Sequence, residues 1–118
     1  MVLVDTSVWI DFLREGSSKL EELLNEGGVS THPLIIGELA CGNIQDRKKF
    51  LSLLNDLPII QESTHEEVLH FIEKHKSFGL GVGFFDLHIL CSAIINNNSV
   101  WTLDRRLKKL CKLHHRHL

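Results

Sequence analysis

Short β-branched runs alternate with helical segments along most of this chain, and the alternation restricts its possible folds. Four runs have the length and composition of strands: Val2–Asp5, Val29–Thr31, Pro58–Ile60 and Val100–Thr102. Strands separated by helices are expected to pair in parallel, because a parallel connection needs a crossover long enough to hold a helix. The sequence therefore predicts an α/β fold of three layers, with a central parallel sheet and helices on both faces.

The helical segments are recognised by their apolar spacing and by the residues at their ends. Gly27 and Gly28 end one helix and Pro33 begins the next. Thr64, followed three residues later by a glutamate, has the pattern of a capping box, and Asp46 is a plausible N-cap. The predicted helices are Val8–Leu13, Ser18–Asn25, Pro33–Cys41, Asp46–Leu54, Thr64–Phe78, Phe85–Ile95 and Asp104–Lys112, with a flexible glycine-rich connection at Gly79–Gly83.

Length and composition are those of an ordinary globular domain. The chain has 118 residues, of which 43% are hydrophobic and 24% charged. We expect residues 1–118 to form a single domain, because this length can bury a core without disulfides or structural metals. The net charge of −2 argues neither for nor against a nucleic-acid partner, since a local basic patch can supply the affinity.

The three cysteines, Cys41, Cys91 and Cys111, form no Cys-x-x-Cys pair. Such a scattered, odd set is typical of reduced thiols rather than of a disulfide framework. The chain has no basic, apolar leader and no apolar stretch close to the roughly 20 residues that a membrane span requires. We therefore expect a cytoplasmic protein without a membrane partner.

Two acidic residues lie at the ends of predicted strands. Asp5 ends the first strand, and Asp104 lies just past the strand Val100–Thr102. In a parallel α/β sheet, ligands gather at the carboxyl ends of the strands, so both acids are candidates for one site. Each also has a structural explanation, Asp104 as a helix N-cap and Asp5 as a turn residue.

Glu38 and Asp86 interrupt the apolar faces of two predicted helices. Leu34 and Ile35 precede Glu38 at helical spacing, and apolar residues follow Asp86 at the same spacing. Either acid could pair with a lysine or arginine, although few cations lie in these helices. A buried carboxylate without a partner costs several kcal/mol, so we expect something to compensate these two charges.

A divalent cation would compensate all four acids at once. Hard carboxylate oxygens suit Mg²⁺ or Mn²⁺, and an ion held by them can activate water and bind a phosphate. The set therefore favours hydrolysis of a phosphodiester. No Ser-His-Asp order or Cys-His pairing competes with it, and GLGVG is not a P-loop because no Lys-Ser/Thr follows it.

The segments around the four acids resemble those of PIN domains, particularly the VapC-type toxins of toxin–antitoxin pairs. VDTSVWIDFLR at Val4–Arg14 resembles the opening of the family. Glu38 in IIGELACG, Asp86 in GFFDLHILCSA and Asp104 in VWTLDRRL are similar to the second, third and fourth family acids. Thr102 fits the Thr/Ser-x-Asp form seen before the last acid. The resemblance spans nearly the whole chain.

The resemblance implies a PIN fold and an Mg²⁺- or Mn²⁺-dependent endoribonuclease that acts on RNA of the translation machinery. It also implies a homodimer and inhibition by a cognate antitoxin protein. Asp5 and Asp86 are then the most direct metal ligands. The catalytic and metal-binding residues implied are Asp5, Glu38, Asp86 and Asp104, with Thr6, Ser7 and Thr102 in supporting roles. Thr6 and Ser7 begin the helix after Asp5 and are expected near the phosphate.

Two other classes of function are weighed against a nuclease. One is a catalytically inactive PIN-like module that binds RNA or protein, which the presence of all four acids disfavours. The other is a receiver or haloacid-dehalogenase-like domain that handles phosphoryl groups. The dehalogenase pattern requires a second aspartate two residues after Asp5, where Ser7 stands, and a receiver requires an acid pair and a late lysine that are not evident.

The C-terminal stretch from Arg105 to Arg116 is basic. It is interpreted as a solvated helix face whose late cations complement the helix dipole, with contact to an RNA backbone as the alternative. His114, His115 and His117 lie at the end of the chain, where mobility is usual and metal binding is expected to be adventitious.

Overall fold

The computed structural model describes residues 1–118 and contains seven helices and three strands. In chain order the elements are β1 (Val2–Val4), α1 (Thr6–Glu15), α2 (Ser18–Asn25), β2 (Val29–Ser30), α3 (Pro33–Ala40), α4 (Arg47–Asn55), α5 (His65–His75), α6 (Phe84–Ile95), β3 (Ser99–Trp101) and α7 (Arg105–Leu113). Each predicted helix has a counterpart, and the bounds of α2 are those predicted.

The sheet has β1 at its centre, between β2 and β3, and both pairings are parallel. Val2 lies opposite Val29 on one side and Ser99 on the other, and Val4 lies opposite Trp101. The predicted α/β class and parallel sheet are therefore confirmed. Because β1 and β3 run in the same direction, the residues that follow Val4 and Trp101 leave the sheet at the same edge.

The prediction of a strand at Pro58–Ile60 is wrong, although this segment does touch the sheet. Ile59 forms one isolated bridge with Thr31. The Thr31 N–H donates to the Pro58 carbonyl at 2.9 Å, and the Ile60 N–H donates to the Thr31 carbonyl at 3.0 Å. Proline has no N–H to extend a ladder, so the pairing stops after these two bonds.

The C-terminal residues also pair with the sheet. His117 forms a parallel bridge with Val100. The Val100 N–H donates to the Arg116 carbonyl at 2.6 Å, and the Leu118 N–H donates to the Val100 carbonyl at 3.1 Å. The open edge of β3 thus supplies backbone partners for the last residues of the chain.

Three helix ends, two of them in α5 and one in α4, test the capping rules. The Thr64 hydroxyl accepts the Glu67 N–H, and the Glu67 carboxylate accepts the Thr64 N–H, so the predicted capping box of α5 is confirmed. This helix ends at His75 rather than Phe78, because Lys76 adopts a left-handed conformation with a φ of 51°. Asp46 precedes α4 but also has a φ of 51° and makes no capping hydrogen bond, so its predicted role is wrong.

One cluster of 22 buried apolar residues forms the core, and all three strands contribute to it. Leu3 and Val4 of β1 have no exposed surface. Trp9 of α1 is buried, and its ring centroid lies 5.7 Å from that of Phe50. None of the helices combines the length and apolar character that crossing a bilayer requires.

Candidate active site

Asp5 is held at the carboxyl end of β1 by backbone and side-chain bonds. Its N–H donates to the carbonyl of Trp101 at 2.9 Å, which extends the pairing of β1 with β3 by one residue. Its side chain is 5% exposed. The hydroxyls of Thr102 and Ser7 both donate to its Oδ2, at 2.7 and 3.1 Å. Both bonds use the same oxygen, so Oδ1 is left for a ligand.

Thr102 and Ser7 also tie together the two chain segments that follow β1 and β3. The Thr102 hydroxyl accepts the N–H of Asp104 at 3.1 Å, and the Ser7 hydroxyl accepts the N–H of Leu103 at 3.0 Å. Thr102 itself is 1% exposed. The hydroxyl of Ser7 is thus engaged within the protein, and the role that the structure gives it is to orient Asp5.

Asp104 serves as a helix cap and also faces the cavity that Asp5 borders. Its Oδ1 accepts the N–H of Leu107 at 2.9 Å, which makes it the N-cap of α7. The residue is exposed and lines the same cavity as Asp5. Asp104 can therefore be both a helix cap and a site residue, since one carboxylate oxygen caps α7 and the other is left for a ligand.

The remaining two acids come from the helices α3 and α6. Asp86 lies in the first turn of α6 and is half-buried, whereas Glu38 lies near the end of α3 and is exposed. The burial expected for Glu38 is therefore wrong. All four acids nevertheless line one cavity of about 260 Å³, whose walls are Asp5, Thr6, Ser7, Ile10, Glu38, Phe85, Asp86 and Asp104. We call it the acid cavity.

The acid cavity has a strongly negative character. No lysine, arginine or histidine lines it. Burial, together with the charges of Asp5, Asp104 and Glu38, raises the pKa of Asp86 from 3.8 to about 6. Cys111 of α7 is fully buried, and its pKa is raised to about 12 by burial and by the charges of Asp5 and Asp86. The four carboxylates thus repel one another and are not neutralised by any side chain.

This donor set fits a divalent metal ion. Its ligand atoms are all carboxylate oxygens, which Mg²⁺ and Mn²⁺ prefer, and a cation would remove the repulsion that raises the pKa of Asp86. No three of the four acids have oxygens that all lie within 4.8 Å of one another. An ion in this cavity would therefore not be held by the carboxylates alone and would keep water among its ligands, as Mg²⁺ usually does.

A different group, His32, Glu62 and His88, does have ligand atoms within 4.8 Å of one another. It fits a metal poorly, because both ring nitrogens of His32 are already bonded. Nδ1 accepts the N–H of Leu34 at 3.0 Å and thereby caps α3, and Nε2 lies 3.0 Å from the hydroxyl of Ser92. Burial and the neighbouring His88 lower the pKa of His32 to about 4. His32 is thus a neutral structural residue.

The sequence contains no signal for several features of this site. Nothing in the pattern shows that the Ser7 and Thr102 hydroxyls, which are 95 positions apart, meet on Asp5. No sequence pattern indicates that Ile10 and Phe85 form apolar walls of the cavity. The hydroxyl of Thr6, the other predicted supporting residue, is buried and has no hydrogen-bond partner.

Comparison with known proteins places these observations in a family. A family model described as PIN domain matches residues 2–113. The chain is 43% identical over 112 residues to Ribonuclease VapC32 of Mycobacterium tuberculosis, covering 94% of this chain and 90% of that protein. It is 29% identical over 109 residues to Ribonuclease VapC1 of Methanocaldococcus jannaschii, covering 89% and 76% of the two chains.

A similar fold occurs in a protein of known structure. The crystal structure of PAE2754 from Pyrobaculum aerophilum superposes with a TM-score of 0.66 and covers 92% of this chain and 82% of that one. The two sequences are only 16% identical, so this likeness supports the fold alone.

Proposed function

The chain belongs to the PIN-domain family, and from this premise we propose that it is a metal-dependent endoribonuclease, the toxin of a type II toxin–antitoxin pair. The observation that carries the proposal is the acid cavity, in which the four predicted acids meet without any cationic side chain. The similarity to two VapC ribonucleases supports RNA as the substrate.

Asp5, Glu38, Asp86 and Asp104 would hold Mg²⁺ or Mn²⁺ in this cavity. When bound, the ion supplies positive charge that activates a water molecule and stabilises the charge developing on the phosphate. The acids themselves would orient that water for attack on phosphorus, and Asp5 is the one whose carboxylate accepts hydrogen bonds from two hydroxyls.

The protein scaffold would act by holding these ligands in place before the substrate arrives. The hydroxyls of Ser7 and Thr102 fix the side-chain orientation of Asp5, and the capping bond to Leu107 fixes that of Asp104. In the first turn of α1 the N–H of Val8 already donates to the Asp5 carbonyl, but the N–H groups of Thr6 and Ser7 have no hydrogen-bond partner in the protein. They are suited to a phosphate oxygen of the substrate.

The proposal extends to the partners and the compartment. A cognate antitoxin would inhibit the enzyme, and a basic side chain of that protein would complement the acid cavity, which has no cation of its own. The family relationship favours a homodimer that acts in the cytoplasm, with the whole chain as one domain.

The test is cleavage of a mixed RNA pool by the purified protein with Mg²⁺ or Mn²⁺, and then with EDTA. Asp5→Asn and Asp86→Asn are compared with Asp11→Asn, which changes an exposed aspartate of α1 outside the acid cavity. We expect metal-dependent cleavage that both cavity variants abolish and that Asp11→Asn retains.

Other results would contradict the nuclease proposal in different ways. Equal residual cleavage by the wild type and both cavity variants would identify a contaminating nuclease. RNA binding without cleavage, under all metal conditions, would instead favour a catalytically inactive binding module.

A further inference from the structure

A second cavity adjoins the acid cavity. Its volume is about 500 Å³, and it lies between α1 and the loop that joins α3 to α4. Its walls are Thr6, Ile10, Leu13, Arg14, Glu38, Leu39, Gly42, Asn43, Ile44 and Gln45. We call it the base groove.

The base groove is continuous with the acid cavity. Thr6, Ile10 and Glu38 line both. Two other sizeable cavities, one beside α5 and one between α1 and α4, share no residue with the acid cavity. When a phosphate of the substrate lies at the four acids, the nucleoside attached to it must lie beside the acid cavity. The base groove offers the space for that nucleoside.

The loop that forms one wall of this groove is held from both sides. Arg47, in the first turn of α4, donates from Nε and Nη2 to the carbonyl of Ala40, at 3.2 and 2.7 Å. Ile44 packs against the core. Asn43 and Gln45 flank Ile44 and are exposed, so both lie beside the residue that packs the loop against the core. Contacts that restrain a binding loop reduce the entropy that it loses when a ligand binds.

The chemistry of the groove suits a nucleobase. Its accessible apolar side chains, Ile10, Leu13 and Ile44, offer surfaces for the faces of a flat ring. The amides of asparagine and glutamine each carry a donor and an acceptor, which is the combination that reads the polar edge of a base.

We propose that the base groove binds the nucleobase next to the scissile phosphate, and that Asn43 and Gln45 determine which base is accepted. This inference rests on the proposed nuclease function and adds a substrate subsite to it. The ligand is an unpaired nucleotide, because its base must leave any helix to enter a cavity lined by side chains.

The first experiment measures base preference at the positions flanking the cut. The double variant Asn43→Ala/Gln45→Ala is compared with the wild type and with Gln61→Ala, an exposed amide that does not line the groove. All three proteins cut a pool of RNA with random sequence, and the new ends are sequenced. We expect the base preference at one flanking position to fall about tenfold in the double variant. This is the order of discrimination that a contact between an amide side chain and a base edge provides. Gln61→Ala is expected to keep the wild-type preference.

The second experiment does not depend on cleavage. Binding of fluorescent 2′-O-methyl oligonucleotides, with the favoured or a disfavoured flanking base, is measured by anisotropy with Ca²⁺ in place of Mg²⁺ or Mn²⁺, because a divalent ion is needed to compensate the carboxylates of the acid cavity. The wild type should discriminate between the two, and the double variant should bind them equally. If the wild type cuts no RNA, the oligonucleotides are chosen by selection for binding, so that failure of the nuclease proposal is seen separately from failure of the base groove.

Three results would overturn the inference. The first is a wild type without base preference at either flanking position, and the second is a double variant that keeps the full wild-type preference in both experiments. The third result is a double variant that binds RNA normally but loses affinity for a cognate antitoxin, which would assign the groove to a protein partner.

Discussion

Replacing Asp86 by asparagine is expected to stabilise the metal-free protein at neutral pH, although the substitution removes a proposed metal ligand. Burial and three neighbouring carboxylates raise the pKa of Asp86 from 3.8 to about 6. A carboxyl group whose pKa is higher in the folded state binds more protons when folded than when unfolded. Its ionisation therefore lowers the free energy of unfolding as the pH rises from about 4 to about 6.

The size of this effect follows from the pKa. A rise from 3.8 to about 6 corresponds to about 3 kcal/mol at 1.36 kcal/mol per pKa unit. Asp86 is only half-buried and the acid cavity opens to solvent, so we expect about 1 to 2 kcal/mol in practice. Above pH 6 the neutral amide of Asp86→Asn avoids this cost. Below pH 4 the carboxyl group of Asp86 in the wild type is protonated, so the wild type avoids the cost as well.

The assay is urea denaturation in EDTA at several pH values from 4 to 7.5. The difference between Asp86→Asn and the wild type should grow across this range and then level off. His32, whose lowered pKa makes stability rise over a similar range, contributes equally to both proteins and cancels in the difference. Asp11→Asn, which changes an exposed aspartate, should show no such trend.

Adding Mn²⁺ should then reverse the order of stability. An ion that binds only the folded state stabilises it by about 2.7 kcal/mol at a concentration one hundred times its dissociation constant. The wild type should gain this stability and Asp86→Asn should gain much less. A variant that is less stable than the wild type in EDTA at pH 7.5 would refute the reasoning, since it would show that the carboxylates do not repel one another.

Three further predictions concern stability. Thr102→Val removes the hydroxyl that donates at 2.7 Å to the buried carboxylate ending β1, so it should cost about 2 kcal/mol in urea denaturation, whereas Thr102→Ser keeps the bond and should cost less. Gly81→Ala should lower the melting temperature, because Gly81 has a φ of +76° and a Cβ there would lie 2.8 Å from Nη1 of Arg106. Gly37→Ala, at a helical position with open space around it, should not lower the melting temperature. In the wild type the free energy of unfolding should fall as the pH is lowered from 6.5 to 4, because the pKa of His32 is lowered to about 4 in the folded state and the residue therefore takes up its proton mainly on unfolding. His32→Asn removes this titration, so its free energy of unfolding should fall less steeply over the same range.

The order of strands and helices was readable from the sequence because it depends on neighbouring residues. Ser18–Asn25 was predicted with its observed bounds, and the capping box between Thr64 and Glu67 forms as expected. Both are set by interactions within a few residues of each other. The prediction failed at Pro58–Ile60, where the backbone pairs with the distant Thr31, and at Asp46, where the loop that joins α3 to α4 holds the residue in a left-handed conformation.

The candidate acids were also predictable, because strand ends and apolar helix faces are visible in the sequence. Asp5 and Asp104 follow strands that the structure places side by side, and Asp86 and Glu38 join them around one cavity. Their roles as metal ligands and catalytic residues stay predictions that the proposed variants test.

The sequence by itself determined the α/β class, the order of the elements and the identity of the four candidate acids, since periodicity, capping and residue chemistry are local properties. Only the tertiary structure decided how the acids are held and what surrounds them. The hydroxyl of Thr102 reaches Asp5 across 97 positions of the chain, and Asn43 shares the base groove with Ile10 of α1. Such contacts depend on how the helices pack on the sheet, and no pattern of neighbouring residues encodes that packing directly.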